Sequence, residues 1–86
     1  MFNGRTILIT GAASGLGRAW AEGFSADGAT VVAADIDGEG LKKVPARFHL
    51  AVDVSDSNQV EQMILDSIEQ TGRIDVLFNN AGVGFN

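Results

Sequence analysis

Thr10-Gly11-Ala12-Ala13-Ser14-Gly15-Leu16-Gly17 is the stretch on which the reading of this chain turns. It follows a short apolar run, Thr6-Ile7-Leu8-Ile9, that is β-branched-rich and halted by a glycine. Such a run is the pattern of a strand buried on both faces. After the stretch the period changes. Leu16, Ala19, Trp20, Gly23 and Phe24 fall at i, i+3, i+4, i+7 and i+8, which predicts a helix from Gly15 to Ala26 with that stripe facing the core. Gly28 fits the position just past its end. The three glycines of the G-x-x-x-G-x-G turn have separate tasks. Gly11 lets the chain turn sharply out of the strand. Gly15 opens the helix and leaves no Cβ between backbone and ligand, and Gly17 lets the helix pack closely on the sheet. The N–H groups of the first helical turn then face outward, with the positive end of the helix dipole behind them, and suit a diphosphate. The same glycines would also serve a tight turn that binds nothing. The spacing is not G-x-G-x-x-G, and no Gly-Lys-Ser/Thr follows to make a P-loop.

Working outward, Thr30–Ala34 reads as a second buried strand ending at Asp35. Asp35-Ile36-Asp37-Gly38-Glu39-Gly40 then breaks regular structure. A short helix is expected over Leu41–Val44, stopped by Pro45. Phe48–Val52 reads as a third strand, with His49 inside it as an edge residue rather than a base. Asp53-Val54-Ser55-Asp56-Ser57 is rich in capping residues and opens a long helix with Val60, Met63, Ile64 and Ile68 on one face. Thr71-Gly72 closes that helix, and Ile74–Phe78 is a fourth strand. Strands alternating with helices predict a parallel sheet covered on both faces, joined by right-handed crossovers.

Asp35 lies 18 residues beyond Gly17. An acidic residue at about that distance (~20 residues) accepts from ribose hydroxyls in dinucleotide folds. A carboxylate there would also repel a 2′-phosphate, and neither Ser14 nor Ile36 offers a cation to neutralise one. This favours NAD over NADP. Asp35 also suits a plain turn before Gly38. Asp53 fits an ordinary capping arrangement before a helix. Asn79-Asn80 are either sheet glue or ligand-facing amides.

Composition sets the outer bounds. With 86 residues, 45% apolar and 20% charged, the chain holds one small globular domain or part of one. Eleven acidic residues against six basic ones give a net charge of −5, which argues against a nucleic-acid partner. There is no cysteine, hence no disulfide or thiolate metal site. No apolar run is long enough to span a bilayer and nothing resembles a signal peptide, so the default compartment is the cytoplasm, with no membrane association.

Thr10-Gly11-x-x-x-Gly15-x-Gly17, Asp35, Asp53-Val54 and Asn79-Asn80-Ala81-Gly82, in this order, resemble the short-chain dehydrogenase/reductase family over essentially the whole chain. The resemblance implies the N-terminal half of a Rossmann-like, doubly wound α/β parallel sheet: residues 1–86 as a partial NAD(P)-binding domain. It implies that Gly11, Ser14, Gly15, Leu16 and Gly17 line the diphosphate and adenosine ribose, and that Asp35 holds the ribose hydroxyls. Asp53 would accept from the adenine amino group with Val54 beside it. Asn80, Ala81 and Gly82 would lie under the cofactor. One departure is the short stretch between Asp35 and Asp53, which puts the length of the second crossover helix in question.

The family's acid–base chemistry uses a Tyr-x-x-x-Lys pair with a serine. This chain has no tyrosine, and Lys42 and Lys43 sit in the wrong crossover, so no catalytic residue is assigned and no metal site. The leading expectation is the cofactor-binding part of an NAD-dependent oxidoreductase of roughly 250 residues, acting on an alcohol or carbonyl and oligomeric when full length. The 86 residues alone are expected to be inactive. The alternatives are a truncated, inert nucleotide-binding module and, less well matched, a methyltransferase. The fourth strand is expected to be an exposed edge through which the isolated chain self-associates.

Overall fold

A computed structural model describes residues 2–80. The elements run β1 (Thr6–Thr10), α1 (Gly15–Ala26), β2 (Thr30–Asp35), α2 (Gly38–Leu41), β3 (Phe48–Ala51), α3 (Ser57–Thr71) and β4 (Val76–Asn79). All pairings are parallel and the order is β3-β2-β1-β4. β1 is buried throughout because it is flanked on both sides, which explains its unbroken apolar run. β3 and β4 form the two edges, and both alternate between half-buried and exposed residues.

Two cores lie on opposite faces of the sheet. On one, Ile7, Ile9, Val31 and Ala33 pack against Ala21 of α1, Leu41 of α2 and Val44 just beyond it. On the other, Leu8, Val32 and Ala34 pack against Met63 of α3 and Val52. At the β4 edge of the first face, Phe24 stacks on Phe78 at 5.4 Å and meets Phe2 edge-on at 4.9 Å.

The apolar stripe of α1 differs from its expected position. Trp20 and Phe24 do pack on the core, but Leu16, Ala19 and Gly23 are exposed. The buried line is Gly17, Trp20, Ala21 and Phe24. Its two smallest members bring the helix against the sheet, and a count of large apolar residues cannot see a face built on glycine and alanine. Likewise Ile68 of α3 is 42% exposed, while Ser67 is buried and donates its hydroxyl to the Met63 carbonyl.

The second crossover is also displaced from expectation. α2 spans Gly38–Leu41 instead of Leu41–Val44, because the Asp37 carboxylate accepts from the Gly40 N–H and starts the helix early. Residues 42–44 continue as a turn, closed by the Val44 N–H donating to the Leu41 carbonyl. His49 is an exposed residue of edge strand β3, as expected, and its Nε2 donates to the Val44 carbonyl at 2.7 Å.

The sheet is laced near its N-terminal edge as well. The Thr6 N–H donates to Asp75 Oδ2 at 2.8 Å, and the Asp75 N–H donates to the Thr6 carbonyl at 2.9 Å. Arg73 Nε also donates to Asp75 Oδ2, at 2.9 Å. These bonds hold the start of β4 against β1 and thereby fix the register that brings Thr10 opposite Asn79.

Candidate cofactor site

With every strand parallel, the candidate residues fall at one edge of the sheet. Gly11 follows β1, Asp35 ends β2, Asp53 follows β3, and Asn79 and Asn80 stand at the end of β4. That C-terminal edge is where open α/β sheets bind ligands.

The glycine-rich turn is built as its spacing implies. Gly11 and Gly15 have φ of +67° and +58°, a region that residues with a Cβ rarely occupy. No atom lies within 4 Å of where a Cβ on Gly15 would stand, so the backbone there faces open space. A Cβ on Gly17 would collide with the Gly11 carbonyl, and would lie 2.9 Å from Asn80 Nδ2. Gly17 thus sets the distance between α1 and the turn. Ser14 is the N-cap of α1, but its side chain makes no capping hydrogen bond. The N–H groups of Gly15, Leu16 and Gly17 open the helix and have no carbonyl of a preceding turn to meet. Leu16 is 57% exposed beside them. An anionic linker fits these observations: a cleared approach, free donors and a helix dipole.

On the β2 side, Asp35 Oδ2 accepts from the Ala13 N–H at 3.0 Å and Oδ1 accepts from the Asp37 N–H at 2.9 Å. Each oxygen retains acceptor capacity for a hydroxyl donor. Ile36, next along, is 71% exposed and forms a groove with Ala51, Val52, Asp53 and Gln59. The apolar wall at Ile36 and the polar group at Gln59 escaped sequence reasoning. Only the exposed isoleucine left a signal, as an apolar residue inside a polar turn.

Asp53 is not the cap of α3. That role belongs to Asp56, which accepts from the Asn58 and Gln59 N–H groups. Asp53 Oδ1 instead accepts from the Ser55 hydroxyl at 2.6 Å and the Ser55 N–H at 2.9 Å, and these bonds hold its carboxyl below the usual carboxylate range. Val54 points away from this groove. It packs on the α3-side core and shares a separate hollow with Thr10, Met63, Leu77 and Asn79.

At the end of β4, the Thr10 hydroxyl donates to Asn79 Oδ1 at 2.9 Å, and Asn80 Nδ2 donates to the Gly11 carbonyl at 3.4 Å. Both asparagines therefore tie β4 to the glycine-rich turn. Ala81 and Gly82 lie outside the described residues. Among the described residues, no group of three His, Asp or Glu side chains is placed to hold a metal. Among them too, no helix is long and apolar enough to cross a membrane.

The sequence model of the family described as short chain dehydrogenase matches residues 5–86. The chain belongs to that family. It is 47% identical to meso-2,3-butanediol dehydrogenase of Serratia marcescens, over 95% of this chain and 35% of that protein. Among solved structures, a short chain dehydrogenase/reductase of Burkholderia phymatum in complex with NAD superposes with a TM-score of 0.89 at 38% identity. The match covers 96% of this chain and 32% of that one. The 3-ketoacyl-(acyl-carrier-protein) reductase of Brucella melitensis complexed with NADH gives a TM-score of 0.85 at 32% identity, covering 90% and 34%. The chain spans about a third of the length of these family members. The Rossmann-like sheet is therefore shown by sequence and by shape, and family neighbours of this fold carry nicotinamide dinucleotides.

Proposed function

We propose that this chain is the N-terminal, cofactor-holding part of an NAD-dependent oxidoreductase that moves a hydride between the cofactor and an alcohol or carbonyl substrate. The observation that carries the reading is the carboxylate of Asp35 at the end of β2, tied to the glycine-rich turn at 3.0 Å. Gly11, Ser14, Gly15, Leu16 and Gly17 receive the diphosphate and the adjoining ribose. Asp35 accepts from the ribose hydroxyls. Ile36 and Asp53 flank the adenine, with Val54 buttressing the segment from the core side. Asn80 follows β4 beside the cofactor, and the family resemblance assigns Ala81 and Gly82 to the same site.

When bound, the nicotinamide supplies or accepts the hydride. The residues of this chain bind and orient. Free N–H groups at the α1 opening neutralise the linker, and the Gly15 backbone lets it approach. The part of this stretch is cofactor binding: with no tyrosine, it does not supply the family's acid–base pair.

The choice of NAD rests on charge. A 2′-phosphate beside Asp35 would meet a carboxylate, and Ser14 and Ile36 supply no counter-charge. Calorimetric titration tests this. NADH is expected to bind at least about tenfold more tightly than NADPH, a difference of about 1.4 kcal/mol. Equal affinity for the two would refute the selection by Asp35.

A further inference from the structure

We infer that Asp35 is also a positioning residue for the glycine-rich turn: its carboxylate clasps the Ala13 N–H and the Asp37 N–H together, so that the anion-binding backbone is held in shape before any nucleotide arrives. This rests on the cofactor reading above but concerns the empty protein.

The clasp joins three segments. The Ala12 N–H, two residues past the end of β1, donates to the Ala34 carbonyl at 3.1 Å and ties the turn to β2. The next donor, Ala13 N–H, has passed the end of the strand and is met by Asp35 Oδ2. The other oxygen holds the Asp37 N–H, and Asp37 in turn caps α2 through Gly40. Gly40 closes the loop: a Cβ placed on it would lie 2.5 Å from Asp37 Oδ2 and 3.1 Å from the Ala13 Cβ. Ala13 is buried, so its N–H is costly to leave unpaired. The bond also removes Ala13 from the donors open to an anion and leaves that task to the residues after it. One carboxylate thus serves both the sugar and the shape of the turn that holds the linker.

The two roles separate when the probe has no sugar. Inorganic pyrophosphate cannot use a ribose acceptor. If Asp35 met only ribose, Asp35→Ala would remove a nearby negative charge and strengthen pyrophosphate binding. Asp35→Asn removes the same charge but keeps one acceptor. That oxygen is expected to turn to the buried Ala13 N–H, leaving the exposed Asp37 N–H to water.

The test combines amide hydrogen exchange on the cofactor-free protein with pyrophosphate titration followed at the Gly15 and Leu16 amides. In Asp35→Ala, the Ala13 amide is expected to exchange faster while the β1 amides of Leu8 and Ile9 keep their protection. In Asp35→Asn, Ala13 keeps its protection and Asp37 loses it. Pyrophosphate should bind Asp35→Asn more tightly than the unmodified protein, and Asp35→Ala about fivefold more weakly than Asp35→Asn. Unchanged Ala13 exchange in Asp35→Ala, or equal pyrophosphate affinity of the two variants, would overturn the inference. If Asp35→Ala unfolds, loss of Ala13 protection in a folded Asp35→Asn would overturn it equally. Failure to bind any nucleotide would sink the NAD reading and leave the exchange comparison to decide this one.

Discussion

The two long helices begin alike and are finished differently. Ser14 and Asp56 both have extended N-cap backbones, at φ −154° and −101°. Both carbonyls accept the first helical bond, from Arg18 at 3.3 Å and from Val60 at 3.1 Å. Yet Asp56 fills the α3 opening with its carboxylate, and Gln59 Nε2 reaches back to the same side chain at 3.2 Å. Ser14 leaves the α1 opening uncapped. At α3 the end groups are satisfied from within. The helix that faces the candidate ligand keeps them for it. The packing follows the same division: α3 presents Met63, Val60 and Ile64 to the sheet, whereas α1 approaches through Gly17 and Ala21.

The sharpest way to break this contrast is Gly17→Ala. The new methyl would press on the Gly11 carbonyl, a backbone atom that cannot swing aside. Stability by urea denaturation is expected to fall by about 3 kcal/mol, with NADH binding lost. Gly23, on the same helix with open space around it, provides the control: Gly23→Ala should stabilise by about 0.5–1 kcal/mol.

Next in size, Ser14→Asp would give α1 the kind of cap that α3 has. Its melting temperature should rise, while calorimetry should show NADH affinity falling about tenfold as the carboxylate competes for the same donors. Tighter NADH binding would mean that those donors are not the site. Conversely, Asp56→Ala should cost about 1 kcal/mol of stability and leave NADH affinity unchanged.

The smallest effect is pH-dependent and lies away from both helices. The Thr6 N–H holds the Asp75 carboxyl below its usual range, with Arg73 and Arg5 adding to this. A carboxyl lowered in the folded state stabilises above its unfolded value and loses that contribution as pH falls through the lowered one. The difference in urea midpoint between the unmodified protein and Asp75→Asn should therefore be constant from about pH 5 to 7 and shrink below about pH 4. A difference that held to about pH 3 would exclude Asp75 as the titrating group.

Most of the architecture was legible because the chain's strongest signals are local. The unbroken run of β1, the glycines of the turn and the capping-rich run from Asp53 to Ser57 before α3 each act within a few residues. The helix α1 was bounded correctly but rotated, since its buried face is set by how near Gly17 can come to Gly11. That is a tertiary distance, with no trace in hydrophobic period. α2 was misplaced because glycines read as breakers, whereas Asp37 caps them, and its carboxylate and the Ala13 methyl crowd the place of a Gly40 Cβ. In the candidate site, spacing alone located Asp35, but its bond to Ala13 joins residues 22 apart and appears only when β1 and β2 pair. Asp53 remained open between cap and ligand contact until Asp56 proved to hold the cap.

The most direct test of the central claim is an amide-resolved titration of the isotopically labelled protein with NADH, read at both helix openings. Shifts are expected to concentrate at Ser14, Gly15, Leu16 and Gly17, with Asn58 of the capped helix unmoved, and to be weaker with NADPH. Shifts centred on α3, or none at the opening of α1, would contradict it.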